Sequence, residues 1–306
     1  MRASVPLILG ACAWLCAGVS WADSKSKGSV QALPPSTVAV ARAPVAGQPF
    51  DDRELVQWFE QEGRKLKAGA KVRKLSFEKE VCEVALPLAG GTLLGVEEAA
   101  ARAEASTLVL GEFYRDPKTK KEGFNPAGAG FVVTEAGVCV TSLHVAAEKG
   151  SHGLVAMTRD GRVFAVKEAL ASNAVEDLLV FQLELPPGEI LPALPIAGEP
   201  APMGAGVVVV SHPDEHFFLL STGVVARHVL WREGAKTSNF MSVTADFAKG
   251  SSGAPILDLR GRVVGVVNNT ESVYYDDDGR KKQMDLQMVV KNATPAWLLR
   301  QMMRAK

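Results

Sequence analysis

The chain has 306 residues, of which 47% are hydrophobic and 22% charged, a globular composition too apolar for disorder. Lys+Arg and Asp+Glu both number 34, and this zero formal charge argues against a nucleic-acid partner, which requires a surplus of cations. With 28 Gly and 17 Pro, the composition suits a turn-rich β fold better than a helical bundle.

The first residues read as a targeting segment. Arg2 supplies a basic start, Val5 to Val19 an apolar stretch, and Ser20-Trp21-Ala22 small residues at the −3 and −1 positions. This predicts a signal peptide over 1–22, cleaved after Ala22, and an exported protein, periplasmic or secreted. The run is too short for a committed membrane span, and no later segment is apolar enough to form one. Leu9-Gly10-Ala11-Cys12 resembles a lipobox, but too few residues precede it for a full signal. Once the signal is removed, Cys82 and Cys139 remain. They are either a disulfide pair in an oxidising compartment or two buried small side chains.

Residues 23–50 are rich in Ser, Lys, Ala and Pro without apolar period and read as a flexible leader. A helical extension over 51–104 follows. Leu55, Trp58, Phe59 and Leu66 mark a helix from Asp51 to Lys67 that Gly69 ends, and a second helix is expected near Val96 to Ala103. Both are expected to pack on the outside of the next domain.

From Ala105 the apolar period falls to two. Short runs lie near 106–113, 128–133, 137–141, 153–158, 162–168 and 178–184. A second set lies near 205–211, 217–221, 223–230, 239–245, 254–258 and 262–268. Asp160-Gly161 is a hairpin turn, and the Pro-containing stretch Leu185 to Pro202 separates two groups of six. This spacing predicts an all-β sandwich or barrels rather than βαβ units. Thr294-Pro295 reads as the cap and first position of a last helix bearing Trp297, Leu298 and Met302.

Three segments carry chemistry. In Lys249-Gly250-Ser251-Ser252-Gly253-Ala254-Pro255 a hydroxyl sits in a Gly-flanked turn before a strand. Acyl transfer needs such an approachable nucleophile and backbone N–H groups aimed at the oxyanion. His144 follows the apolar run Val138 to Ser142, and Asp177 precedes the apolar run Leu178 to Phe181. Alone, each has a plain reading: a loop, a histidine at a strand end, an acidic turn. Together, in the order His, Asp, Ser at strand edges, they point to a triad.

These motifs resemble the trypsin-fold serine proteases, most closely the HtrA-type (Deg-type) branch. Thr141-Ser142-Leu143-His144-Val145 is similar to Thr-Asn-x-His-Val. Asp177-Leu178-Leu179-Val180 is similar to Asp-x-Ala-Val, and Gly250 to Pro255 to Gly-Asn-Ser-Gly-Gly-Pro. The segments from Met203 to Val209, at His212-Pro213 and from Ser221 to Val225, and the run Gly261 to Asn268, also follow the branch, so the likeness covers about 105–302. It implies two six-stranded antiparallel β-barrels in a protease domain over 105–302. It further implies an endopeptidase acting on polypeptide substrates through an acyl-enzyme, without cofactor or metal. Ser252 is then the nucleophile, His144 the base and Asp177 its orienting carboxylate. The N–H groups of Gly250 and Ser252 form the oxyanion hole, and Asn268, Asn269 and Thr270 the strand that pairs with substrate. Asp246, six residues before Ser252, and Thr270 would line the specificity pocket. The acid favours a basic side chain and the branched Thr270 a small aliphatic one, with the balance toward the latter.

Ser251 and Ala254 depart from the family pattern, and no PDZ domain is expected from the residues given. The departures leave open a catalytically silent homologue that binds polypeptides. An esterase on the same triad fits less well, since a strand rather than a helix follows the serine. His212-Pro213-Asp214-Glu215-His216 and Asp276-Asp277-Asp278-Gly279 invite metal readings, but a family loop and a hairpin tip account for them better. Oligomeric state is not legible.

Overall fold

The computed structural model describes residues 49–87, 90–147, 151–234, 236–276 and 284–304. The expected signal peptide, nearly all of the leader and most of the acidic run at 276–279 lie outside them.

Helix α1 spans Asp52–Ala68. Asp51 caps it, its carboxylate accepting from Arg53 N–H at 2.8 Å, and Gly69 closes it. A short strand β1 (Cys82–Glu83) and a second helix α2 (Val96–Ser106) follow. Between the two helices the chain is largely irregular.

Six strands then close a barrel: β2 (Thr107–Arg115), β3 (Glu122–Val132), β4 (Val138–Ser142), β5 (Ser151–Met157), β6 (Val163–Asn173) and β7 (Leu178–Leu183). A short helix α3 (Leu143–Ala146) follows β4. The Asp160-Gly161 turn joins β5 to β6 as expected, with Gly161 at φ 80°. The second barrel contains β8 (Gly206–Ser211), β9 (Leu219–Glu233), β10 (Lys236–Val243), β11 (Pro255–Asp258), β12 (Val263–Asp276) and β13 (Met284–Pro295). A helix α4 (Trp297–Met302) and a strand β14 (Met303–Arg304) end the described chain, and β14 pairs with β1 in parallel.

Two sequence expectations need correction. From Leu219 on, the runs 217–221 and 223–230 belong to one strand, β9, and the sixth strand of the second barrel is β13. β13 carries Lys291 and Asn292 among its apolar residues, which broke the expected period. Thr294 and Pro295 end β13 instead of opening a helix, and Ala296 stands at the N-cap of α4. Pro295 is tolerated because it lies at the strand's last residue.

β2 is buried on both faces, which is why it reads as a continuous apolar run. Leu108 and Leu110 pack with Val132, Cys139, Leu154 and Phe181, while Val109 and Phe113 pack with Leu55 and Phe59 of α1. Phe59 meets Phe124 edge-on, ring centroids 5.1 Å apart. Gly111 has no Cβ because one would lie 2.7 Å from the Phe59 ring and 2.4 Å from that of Phe124. Cys139 is buried inside this barrel while Cys82 lies on β1, and both are free thiols. Among the described residues no helix is long and apolar enough to cross a membrane.

Phe59→Ala should lower stability by about 3–5 kcal/mol, since a fully buried aromatic leaves a cavity that the surrounding rings fill only in part. The urea midpoint checks this: an unchanged midpoint would mean that α1 does not dock on the barrel in solution.

Candidate active site

His144 sits in α3, two residues past the end of β4, and Asp177 in the turn leading into β7. β4 and β7 pair along their length, Ser142 opposite Leu178, which brings the two residues together. The Asp177 carboxylate grips His144 through both oxygens. Oδ2 accepts from the ring Nδ1–H at 2.6 Å, and Oδ1 accepts from the backbone N–H at 2.9 Å. This two-point contact fixes the ring's orientation. Asp177 has φ 54°, a left-handed conformation that Asp tolerates better than most side chains.

Ser252 lies in the loop before β11 of the other barrel. Its hydroxyl donates to Asn268 O at 3.3 Å. Ser252 and His144 line one cavity of about 430 Å³, together with Gly128, Val145, Lys249 and Gly250. The loop is shaped by backbone bonds: Ser251 N–H to Ala248 O, Gly253 N–H to Val267 O and Ala254 N–H to Ser251 O. Gly250 (φ 94°) and Gly253 (φ 86°) adopt left-handed conformations, and a Cβ at 253 would lie 2.2 Å from Ala129 O. The N–H groups of Gly250 and Ser252 have no acceptor among the described residues.

Sequence reasoning missed several residues that position this group. Asn268, read only as part of a substrate-binding strand, donates from its side chain to Asp177 Oδ2 at 3.3 Å and to Thr294 Oγ1 at 3.1 Å. Glu176 is buried and accepts from both the backbone and the side-chain N–H of Asn239, at 2.9 and 2.6 Å. Thr294 Oγ1–H donates to Glu176 O at 2.9 Å, and Ser142 Oγ–H to Val267 O at 3.0 Å. The carboxylate beside Asp177 was a visible signal, but its partners lie in β10 and β13, far away in sequence.

Asn269 and Thr270 lie on β12 opposite Asn292 and Lys291 of β13. Asp246 does not line the cavity of His144 and Ser252. Its side chain is 82% exposed and pairs with Lys291 Nζ at 2.7 Å, beside a separate groove that includes Arg227 and Glu271. Lys291 itself is only 13% exposed and also donates to Phe247 O at 2.5 Å. The acid expected at a pocket base is thus already matched by a cation.

His212 and His216 part company. His216 is exposed and its Nδ1 faces Pro213 O and Asp214 O, whereas His212 is buried. His212 Nδ1 accepts from Phe218 N–H at 3.1 Å, so Nε2 carries the proton and donates to Leu108 O at 3.1 Å. Among the described residues no three His, Cys, Asp or Glu side chains gather as a metal site.

Two closed six-stranded barrels, with a carboxylate-held histidine from one and a serine in a Gly-flanked loop of the other on a common cavity, make a trypsin-like fold. Residues 128–266 match the trypsin-like peptidase domain family. Over 146 residues the chain is 30% identical to a putative serine protease, HhoA, of a Synechocystis species, aligning 45% of this chain with 36% of that one. It is 27% identical over 139 residues to a probable periplasmic serine endoprotease, DegP-like, of Brucella suis, aligning 45% of this chain with 26% of that one. Of solved structures, the HtrA-type protease AlgW with decapeptide superimposes with a TM-score of 0.52 at 18% identity, over 68% of this chain and 66% of AlgW. Over part of its length the chain is thus similar to HtrA- and DegP-like serine proteases, and its fold is trypsin-like. It aligns with only about a third or less of the length of these curated relatives.

Burial lowers the pKa of His212 from 6.5 to about 4. A folded-state pKa below the unfolded one means that the unfolded chain binds the extra proton. The stabilisation is complete above about pH 6.5 and is lost as pH falls toward 4, about 3 kcal/mol in all. Chemical denaturation from pH 7 to 4 should show this loss in the wild type and a shallower slope in His212→Gln. Parallel slopes would remove His212 as the source.

Proposed function

We propose that this chain is an exported serine endopeptidase that cleaves polypeptides through an acyl-enzyme. The observation that carries the reading is the two-oxygen grip of Asp177 on His144, on a cavity shared with Ser252. In this mechanism Ser252 Oγ turns from Asn268 O to attack the substrate carbonyl, and His144 Nε2 takes its proton. Asp177 stabilises the resulting imidazolium, whose proton passes to the leaving amine; water then repeats the sequence to release the acid. The N–H groups of Gly250 and Ser252 receive the oxyanion. Asn268, Asn269 and Thr270 run beside the acyl part of the substrate. The signal-like residues 1–22 and the periplasmic relatives support export, to the periplasm or beyond. No cofactor enters any step.

Fluorophosphonate should label the wild type and not Ser252→Ala. On a casein-like substrate Ser252→Ala and His144→Ala should each lower kcat by about 10⁶-fold, and Asp177→Asn by about 10⁴-fold. Equal hydrolysis by wild type and Ser252→Ala would sink the protease reading. Binding of the same substrate without labelling would favour the silent polypeptide-binding homologue.

For specificity we propose small aliphatic residues before the scissile bond. Lys291 neutralises Asp246, and Thr270 places a branched side chain at the substrate strand. A random peptide library should show cleavage after small aliphatic residues in the wild type. Predominant cleavage after Arg or Lys would refute this.

A further inference from the structure

The direction of the Gly250 N–H is set outside the serine loop. Lys249 and Gly250 share a peptide plane, and the Lys249 carbonyl accepts from Asp214 N–H at 2.7 Å. Among the described residues every peptide bond is trans. In a trans plane the C=O and N–H point to opposite sides, so holding the carbonyl toward Asp214 turns the Gly250 N–H away from it. Were the plane to flip, a carbonyl oxygen would occupy the place of an oxyanion donor and repel the charge it should receive.

Asp214 is delivered to this contact by a turn that a free chain would seldom adopt. Asp214 (φ 49°) and Glu215 (φ 64°) are consecutive left-handed residues, neither of them glycine. Such a turn persists only where its surroundings over-determine it. His212 does so. Its ring bonds Leu108 O of β2 on one side and Phe218 N–H on the other, tying the ends of the 213–217 loop to each other and to the first barrel. The ring is 2% exposed and packs against Phe217 and Phe218, with centroids 5.7 and 4.9 Å away. Its own carbonyl fits close to Gly250, where a Cβ would lie 2.5 Å from it. A continuous path therefore runs from β2 through His212 and the turn to Asp214 N–H, Lys249 C=O and Gly250 N–H.

We propose that His212 is a positioning residue for the oxyanion hole: it locks the Pro213–Glu215 turn so that Asp214 N–H clamps the Lys249 carbonyl and leaves the Gly250 N–H facing the substrate carbonyl oxygen. This rests on the reading of Ser252 as nucleophile, but the clamp itself is a structural statement. His212→Phe keeps a ring in the site and removes both of its hydrogen bonds. His212→Asn retains an acceptor able to reach Phe218 N–H.

The kinetic test uses a peptide substrate, a peptide aldehyde whose hemiacetal fills the oxyanion hole, and a non-covalent product peptide. His212→Phe should lower kcat about 100-fold with KM within threefold, the scale of losing one oxyanion donor. Aldehyde affinity should fall by about the same factor while product-peptide affinity holds, and His212→Asn should recover at least tenfold of the loss. A crystal structure of His212→Phe should show the Lys249–Gly250 peptide rotated. Wild-type kcat, a parallel loss of aldehyde and product affinity, or an unmoved peptide plane would overturn the proposal. If His212→Phe does not fold, the same measurements on His212→Asn decide it, an intermediate loss supporting the clamp and none overturning it. If fluorophosphonate leaves the wild type unlabelled, the protease reading fails, and the orientation of the peptide plane in the two variants still decides the clamp.

Discussion

Everything at the candidate site depends on the register between the two barrels, and that register is set by buried hydrogen bonds. His144 and Asp177 belong to one barrel and Ser252 to the other, so a slip of one residue between them would separate the group. Apolar packing alone tolerates such slips. The polar bonds do not, because a buried donor or acceptor left unmade costs about 1–3 kcal/mol. Ser142 Oγ–H to Val267 O, Thr294 Oγ1–H to Glu176 O, the paired bonds of Asn239 to Glu176 and Ala129 N–H to Ser252 O all cross between the barrels. Each lies within two residues of His144, Asp177, Ser252 or Asn268 on at least one side. They act as directional latches at the point where the geometry matters.

The extension before the barrels belongs to the same framework. α1 adds Leu55 and Phe59 to a cluster that includes Val109 and Phe113 of β2, while α2 places Ala99 against Val208 of β8. Between the helices the chain bonds to both barrels, with Ser172 N–H donating to Lys79 O and Leu94 N–H to Leu259 O. β1 then pairs with β14 at the other end of the described chain. The segment expected to rest on the outside of the domain also bonds to both of its halves, and Trp58 reaches Gly161 O at 3.0 Å to pin α1 to the β5–β6 turn.

How much was legible follows from which interactions are local. The first barrel's strands were readable because each is a short apolar run bounded by turn residues. The motifs around His144, Asp177 and Ser252 were readable because each is contiguous. β13 was not, because Lys291 and Asn292 interrupt its apolar period for reasons that lie elsewhere: Lys291 pairs with Asp246, and Asn292 meets Ser242 and Asn269. Thr294-Pro295 misled for a similar reason. The Thr294 hydroxyl that looked like a helix cap is used across the barrel interface on Glu176 O. Asp246 was placed by its distance from Ser252 along the chain, and spacing carries no information about the lysine that meets it. Non-local polar partners are what one-dimensional pattern cannot supply.

The two departures in the serine loop show how its geometry can persist under altered chemistry. Ser251 is fully buried, and its hydroxyl has no hydrogen-bond partner among the described residues. A larger Asn or Asp in that space would need polar partners of its own, since an unmatched buried amide or carboxylate is costlier than a hydroxyl. The short side chain reduces that demand. Ala254 is likewise fully buried and packs with Ile256, Val209 and Val267 of the second barrel, where its methyl group adds apolar contact that glycine would lack. Neither side chain shapes the turn. Ser251 N–H, Gly253 N–H and Ala254 N–H all bond to backbone carbonyls, and Val267 N–H returns a bond to Ala254 O. With the turn held by its main chain, and the Lys249 carbonyl held by Asp214 from outside, the small side chains at 251 and 254 fit while Ser252 stays beside Asn268 on the cavity it shares with His144.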